Sequence, residues 1–263
     1  MLVRTLALTA LIGFAASTAA ADEIGVGIPT RPGVSERVLY DAPSEIKAVA
    51  LLFPGGFGAI GIHGEGAGAS ADRGSNFLIR SRKLFVAAGV AVVSVDVPSD
   101  HESGIDESFR LGEEHGQDVA ALVAWVRRQT TAPVWLVGTS MGSISAASTA
   151  RRLGHEVDGV VLTSSVSRSS RNSPGGGVSA VSVQEVTVPV LVVDHVDEAC
   201  RSVGSPEQLA ARFTGSPRVA TVKITGGSAG GDPCGPLSPH GYLDVEDKAV
   251  AAITDFMLNK PHP

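Results

Sequence analysis

Six short segments of the chain are apolar at consecutive positions rather than at alternating ones. They cover residues 47–53, 89–96, 132–138, 157–164, 188–194 and 218–225. Continuous apolar sequence is typical of strands that are covered on both faces, as in a parallel sheet with helices above and below it. The pattern therefore predicts six central strands.

Helical periodicity lies between most of these segments. One set of apolar residues follows the spacing i, i+3, i+4, i+7 and consists of Val119, Leu122, Val123 and Val126. The spacing returns near the end of the chain, before a stop at Pro261, in Ala249, Ile253 and Phe256. Both spacings are those of a helix with one buried face. Strands that alternate with helices predict an α/β fold with helices on both faces of the sheet.

Two stretches rich in glycine and serine, residues 55–76 and 167–182, have no such periodicity. They could be simple surface loops. Each one follows a predicted strand, however, and loops at the carboxyl ends of parallel strands form the ligand crevice of α/β folds. The sequence therefore favours a ligand site beside these two loops.

The first 21 residues differ in composition from the rest. A positively charged start is followed by an apolar run and by the small residues Ala19 and Ala21, which predicts a secretory signal peptide over 1–21 that is cut before Asp22. The apolar run is too short for a transmembrane helix. We expect a secreted or periplasmic protein in which residues 22–263 form a single domain.

The formal net charge of −6 comes without a basic cluster, which disfavours a nucleic-acid partner and attraction to an anionic membrane surface. A small-molecule partner fits better, no stable membrane insertion is expected, and the oligomeric state stays open. The two cysteines, Cys200 and Cys234, predict one disulfide in an exported chain, the alternative being two unpaired buried thiols.

The pattern Gly-x-Ser-x-Gly occurs twice, as "GTSMG" at 138–142 and as "GGSAG" at 226–230. With 31 glycines in the chain, the pattern alone decides nothing. Ser140 follows a predicted buried strand and precedes a predicted helix, which is the context of a nucleophilic serine on a tight turn. Glycines and two prolines follow Ser228 and exclude a helix there. We expect Ser140 to be the nucleophile, the alternative being a helix N-cap.

A nucleophilic serine needs a histidine as base and a carboxylate that orients the histidine. His240 lies after the last predicted strand, at the sheet edge expected for Ser140, whereas His63 and His101 precede the serine and His155 lies at the opposite edge. His240 is therefore the predicted base.

Three carboxylates close the strand at 188–194 or follow it. Asp194 is expected to end the strand, which leaves Asp197 and Glu198 as candidates for the acid.

These segments resemble the α/β-hydrolase superfamily over nearly all of the mature chain. "LLFPGGFG" is similar to its oxyanion loop, "GTSMG" to its nucleophile elbow, "VLVVDHVDEAC" to its acid loop and "PHGY" to its histidine loop. The order serine, acid, histidine is the most specific part of the match. The resemblance implies a mostly parallel, doubly wound sheet of about eight strands. Only about twenty residues separate the strands at 157–164 and 188–194, where many relatives insert a lid, so we expect a minimal lid or none.

The resemblance also implies roles for single residues. Glu198 stands at the position of the acid, with Asp197 as the alternative. The backbone N–H of Met141 and that of Gly56 or Phe57 would bind the oxyanion. A disulfide between the two cysteines would then hold the acid and histidine loops in register.

The resemblance implies an exported serine hydrolase that cleaves a carboxylic ester through an acyl-enzyme, similar to esterases or dienelactone hydrolases. A peptidase or amidase with the same triad is an alternative, and a non-catalytic binding protein on the same fold is another.

A dinucleotide-binding fingerprint, Gly56-x-Gly58-x-x-Gly61, also follows a predicted strand. No helix pattern follows these glycines, so they are not expected to hold a pyrophosphate. The acidic and histidine positions at 101–102 and 113–115 lack helical metal-ligand spacing. We expect neither a cofactor nor a metal.

Overall fold

A nine-stranded sheet runs through the part of the chain that the computed structural model describes, residues 22–228 and 230–259. The strands are β1 (Ile24–Arg31), β2 (Val34–Asp41), β3 (Ala48–Phe53), β4 (Ile62–His63), β5 (Gly66–Ala67), β6 (Ser70–Ala71), β7 (Val90–Pro98), β8 (Val134–Thr139), β9 (Gly159–Thr163), β10 (Val190–His195) and β11 (Val219–Ile224). Their order in the large sheet is β11-β10-β9-β8-β3-β7-β2-β1-β5, and β4 pairs with β6 separately. The predicted signal peptide (1–21) and helix stop (Pro261) lie outside the described residues.

The described residues contain six α-helices, five of which lie between strands. They are α1 (Phe77–Ala87), α2 (Glu107–Leu111), α3 (Glu113–Gln129), α4 (Gly142–Leu153), α5 (Pro206–Ala210) and α6 (Glu246–Met257). Short 3-10 helices lie at Gly154–Glu156, Gly177–Ala180, Val183–Glu185 and Pro239–Gly241. In the described part of the chain, none of the helices combines the length and apolarity needed to cross a membrane.

The six strands predicted from apolar runs form the parallel part of the sheet, from β11 to β7. Side chains of β3 alternate between two apolar layers: Val49, Leu51 and Phe53 face one layer, and Ala48, Ala50 and Leu52 face the other. The strands are apolar throughout because helices cover both faces.

The two layers are built by different helices. Apolar residues of α3 and α4 pack on one face of the sheet, and those of α1 and α6 pack on the other. The residues that predicted α3 and α6 from their spacing are all buried. The predicted α/β fold with helices on both faces is thus confirmed.

The apolar runs did not predict β1 and β2, which bring the sheet to the expected eight strands, and the two-residue strand β5 is the ninth. Both strands are antiparallel to their neighbours, and β1 has only β2 and the two residues of β5 beside it. Buried and accessible side chains mix along them because they lie towards the edge of the sheet. Strands that are only partly buried need no continuous apolar sequence.

Candidate active site

Ser140 lies on a sharp turn between β8 and α4 and has a positive φ of 53°, which is rare for a residue with a side chain. Its N–H donates to the carbonyl of Thr163 at 3.0 Å. A Cβ on Gly138 would lie 2.3 Å from the carbonyl oxygen of Gly142, and a Cβ on Gly142 would lie 2.1 Å from that of Phe53. Both glycines of this motif are therefore required by close backbone contacts.

The second Gly-x-Ser-x-Gly motif lies on the loop after β11 and has a different geometry. The hydroxyl of Ser228 donates to the carboxylate of Asp244 at the protein surface. The next helical turn in the described residues is the 3-10 helix at Pro239–Gly241. Ser228 therefore lacks the strand-turn-helix context.

His240 lies in that 3-10 helix and is 4% exposed. Its ring Nδ1 is 2.8 Å from Oε2 of Glu198, which corresponds to an N–H donating to a carboxylate. The other carboxylate oxygen accepts the N–H of Cys200 at 2.7 Å. Nε2 of His240 is buried and has no partner among the described residues, and His240 lines the same pocket as Ser140. Because the carboxylate of Glu198 holds the proton on Nδ1, Nε2 carries none and is able to accept one.

Asp197, the alternative acid, lies beside another histidine. Its N–H donates to Nδ1 of His195 at 3.0 Å, and its side chain is 67% exposed. The structure therefore brings Glu198, and not Asp197, to His240.

The other candidate histidines have other neighbours. His63 is hydrogen-bonded to Asp72 at 2.7 Å in an exposed pair, and the ring of His101 packs 4.1 Å from that of Phe109. His155 lies in the turn between α4 and β9, away from the pocket. None of the three contacts Ser140 or Glu198 in the described structure.

The predicted oxyanion loop packs directly against the serine. A Cβ on Gly55 would lie 2.9 Å from the Cβ of Ser140. Residues 55–58 form a turn, in which Gly56 has a φ of 60°. The backbone N–H groups of Gly56, Phe57 and Met141 donate to no acceptor in the described part of the chain. Unpaired N–H groups beside a serine are what an oxyanion hole requires.

Ser140 opens onto two pockets. The first pocket, of about 270 Å³, is lined by His240 and apolar side chains that include Phe57, Ile60 and Phe77. The second pocket, of about 460 Å³, is lined by Met141, Val166, Ser170, Arg171, Asn172 and Arg201 among others. A molecule bound at Ser140 can therefore extend in two directions.

Asp194 lies near the end of β10 and is 4% exposed. Burial and the negative charge of Glu198 raise the pKa of Asp194 to about 7, although the N–H of His195 donates to this carboxylate. The group therefore binds a proton more tightly in the folded protein than in the unfolded one.

Replacement of Asp194 with asparagine should flatten the pH dependence of stability. Between about pH 4 and 7 the folded wild type holds a proton that the unfolded chain has lost, so its free energy of unfolding falls with rising pH, by up to roughly 4 kcal/mol. The amide has no such titration. Urea unfolding from pH 4 to 8 measures how the free energy of unfolding of each protein changes with pH. Equal slopes in the two proteins would refute the raised pKa of Asp194.

Cys200 and Cys234 form a disulfide, as predicted from the sequence. The bond joins the acid loop to the segment that leads to His240, and both pockets are lined by Cys234. Because the N–H of Cys200 holds Glu198, this bond fixes the position of the carboxylate relative to the histidine.

Reduction of the disulfide should lower activity before it unfolds the protein. The bond closes a loop across 34 positions, so its loss should reduce the free energy of unfolding by about 4 kcal/mol. We expect about a tenfold lower turnover in the reduced, folded protein, because Glu198 loses its register with His240. Activity and circular dichroism are followed together during titration with a reductant. The variant Cys200→Ala/Cys234→Ala is the control, since the reductant should leave it unchanged.

One group of side chains in the described residues could hold a metal ion by distance: Glu198, Cys200 and His240. The sulfur of Cys200 is already in the disulfide, and the other two residues bond each other. The glycines of the dinucleotide-like pattern lead into the short strands β4 to β6, and α1 begins only at Phe77. No helix therefore starts where a pyrophosphate would need one.

Comparison with solved structures relates this arrangement to known hydrolases. Est1E from Butyrivibrio proteoclasticus covers 90% of this chain and 98% of its own, with 14% identity and a TM-score of 0.62. A dienelactone hydrolase from Anabaena variabilis covers 92% and 99%, with 14% identity and a TM-score of 0.64. An esterase from Pyrococcus furiosus covers 91% and 91%, with 13% identity and a TM-score of 0.66. This chain has the α/β-hydrolase fold.

The α/β-hydrolase fold was the one implied by the sequence motifs. Est1E has also been solved with ferulic acid bound. No family model and no curated protein matches this sequence. The structural similarity therefore shows the fold, and at 12–16% identity it shows no activity.

One buried residue of this α/β-hydrolase fold, Arg110, was not predicted from the sequence to belong to the site. Arg110, in α2, is 1% exposed and contacts Gly56 and Ser145. An arginine in a short polar segment is ordinarily an exposed residue. Its only unusual signal in the sequence is its place between Phe109 and Leu111.

Proposed function

We propose that the protein is an exported serine hydrolase that cleaves a carboxylic ester through an acyl-enzyme. The observation that carries this proposal is the hydrogen bond of His240 to Glu198, which leaves Nε2 without a partner in a histidine that lines the same pocket as Ser140. Ser140 is also held at a positive φ by the close packing of its two flanking glycines.

The proposed reaction has two halves, formation and hydrolysis of the acyl-enzyme, and the same residues act in both. His240 Nε2 takes the proton of Ser140 as the hydroxyl oxygen attacks the acyl carbon, and Glu198 stabilises the charged imidazole. The N–H groups of Met141 and of Gly56 or Phe57 bind the oxygen that becomes negative. His240 then gives the proton to the leaving alcohol. In the second half, a water molecule attacks the acyl-enzyme in the same way and releases the acid.

Two pockets beside one serine fit an ester, because the acyl chain and the alkoxy group are attached to the same carbonyl carbon and extend from it in different directions. The segment between β9 and β10 contains two short 3-10 helices and no α-helix, so a helical lid is absent from these described residues. We propose that the substrates carry small or extended acyl groups. Ferulic acid binds Est1E, and the apolar first pocket here makes aromatic acyl esters a suitable part of a substrate panel.

Export is proposed from the sequence of residues 1–21 and is supported by the disulfide, since such bonds persist in oxidising compartments. Amino-terminal sequencing of the protein recovered from the periplasm or medium tests it. A first residue other than Asp22, or retention of the whole chain in the cytoplasm, would contradict the predicted cleavage.

Labelling with a fluorophosphonate probe tests the nucleophile. We expect mass spectrometry to find the probe on Ser140 in the mature protein, and no label in Ser140→Ala. Ser228→Ala is the matched control, because it removes the serine of the other motif and should label like the wild type. A folded wild type without label would reject an activated serine and favour a binding protein on the same fold.

A panel of matched ester, thioester and amide substrates tests the bond that is cleaved. The proposal requires that kcat/KM be highest for the ester. A higher value for the amide would replace the esterase proposal with that of a peptidase or amidase using the same residues.

A further inference from the structure

Arg110 is a buried guanidinium without a carboxylate partner. It forms no ion pair with any described residue, and its Nε has no hydrogen-bond acceptor. Burial lowers the pKa of Arg110 to about 10, although the charge of Asp106 acts in the opposite direction. The side chain therefore carries its positive charge at neutral pH, in a position where an unpaired charge is costly.

The two hydrogen bonds of Arg110 join the two sides of the proposed oxyanion hole. Nη2 donates to the carbonyl oxygen of Gly56 at 3.0 Å, and Nη1 donates to Oγ of Ser145 at 2.6 Å. Gly56 belongs to the loop after β3, while Ser145 lies one turn into α4, the helix that follows Met141. Both sources of backbone donors are therefore tied to one guanidinium.

The carbonyl that Arg110 binds is part of a particular peptide group. The C=O of Gly56 and the N–H of Phe57 belong to the same planar unit, so a donor held at the oxygen sets the direction of the N–H. A cation at the carbonyl also draws electrons from the amide and makes that N–H a stronger donor. The following peptide is fixed as well, since Ile105 N–H donates to the carbonyl of Phe57 at 2.8 Å.

We propose that Arg110 is a positioning residue that orients and polarises the Gly56–Phe57 peptide, so that the N–H of Phe57 binds the oxyanion. This inference rests on the proposed hydrolase function and selects Phe57 over Gly56 as the second donor. A purely structural role would need no charge here, because an apolar side chain of similar length could fill the same space.

Gly58 supports the close approach of the guanidinium. A Cβ on Gly58 would lie 3.0 Å from Nη2 of Arg110, and the residue has a φ of 82°. The turn at 55–58 therefore leaves room for the guanidinium beside the carbonyl of Gly56.

The test compares Arg110→Met and Arg110→Lys with the wild type on an ester substrate. Removal of a direct oxyanion donor costs about 10²- to 10³-fold in kcat, so loss of the group that orients it should cost about 10- to 100-fold. KM should change by less than about threefold, because the contact matters most when the oxygen is charged. Arg110→Lys keeps the charge and should recover part of the loss.

Arg152→Met is the matched control. The guanidinium of Arg152 also donates to a backbone carbonyl, that of Leu111 at 2.6 Å, but it lies at the exposed end of α4. This variant should retain wild-type kcat. Thermal unfolding of all variants separates loss of fold from loss of turnover, and addition of guanidinium ion to Arg110→Ala provides a second measurement if Arg110→Met is unstable.

A readout independent of catalysis is the amide proton of Phe57 in a ¹⁵N-labelled sample. Its resonance should move upfield in Arg110→Met and stay in place in Arg152→Met. An active wild type together with an unchanged kcat in Arg110→Met overturns this inference alone. A wild type that neither hydrolyses esters nor reacts with a fluorophosphonate overturns the proposed function, and this inference with it.

Discussion

Replacing His240 with alanine is expected to reduce kcat by about 10⁴- to 10⁶-fold, because the proton of Ser140 then has no acceptor. Ser140→Ala should have an effect of similar size. The double variant should be no worse than either single one, since the proposed mechanism uses the two residues in the same step and their losses then do not add. Steady-state hydrolysis of an activated ester measures all three.

The fold should survive these changes, and circular dichroism and thermal unfolding serve as the check. Ser228→Ala again provides the comparison, with activity expected within about twofold of the wild type. Losses that add in the double variant would mean that the two residues do not share one step, and the proposed mechanism would then be wrong.

The second large effect is expected from Glu198→Gln, which should lower kcat by about 10³- to 10⁴-fold. The glutamine amide keeps the shape of the side chain, but it cannot stabilise the charged imidazole of His240 and can favour the wrong tautomer. Asp197→Asn should remain within about twofold of the wild type, because its exposed carboxylate lies beside His195.

This pair of variants is a strict comparison, since both changes remove one negative charge from the same turn. Measurement of kcat from pH 5 to 9 for each protein separates an effect on His240 from a general electrostatic effect. A large loss in Asp197→Asn with little change in Glu198→Gln would reverse the assignment of the acid.

The parts of the site that could be predicted are those that local sequence controls. A buried strand, a glycine-flanked serine and a helix of small residues are consecutive, so Ser140 could be separated from Ser228 without a structure. The parallel strands were visible for a related reason, since burial on both faces leaves a continuous apolar run.

The parts that the sequence left open depend on the direction of a side chain or on distant contacts. Asp197 and Glu198 are neighbours with the same charge, and only the structure shows that one faces solvent while the other meets His240. Arg110 was overlooked because its partners, Gly56 and Ser145, are far away in the sequence. The strands β1 and β2 lacked the apolar runs of the central strands because they lie towards the edge.

The order of the strands also separates the parts of the molecule that can change during evolution. Ser140, Glu198 and His240 follow β8, β10 and β11, which lie in the same half of the strand order. The antiparallel strands β2 and β1 lie on the other side, beyond β3 and β7. Substitutions in β1 and β2 should therefore be selected mainly for their effect on stability. After a gene duplication, the two copies could come to prefer different substrates through changes in the loops after β9 and β10, which line the second pocket.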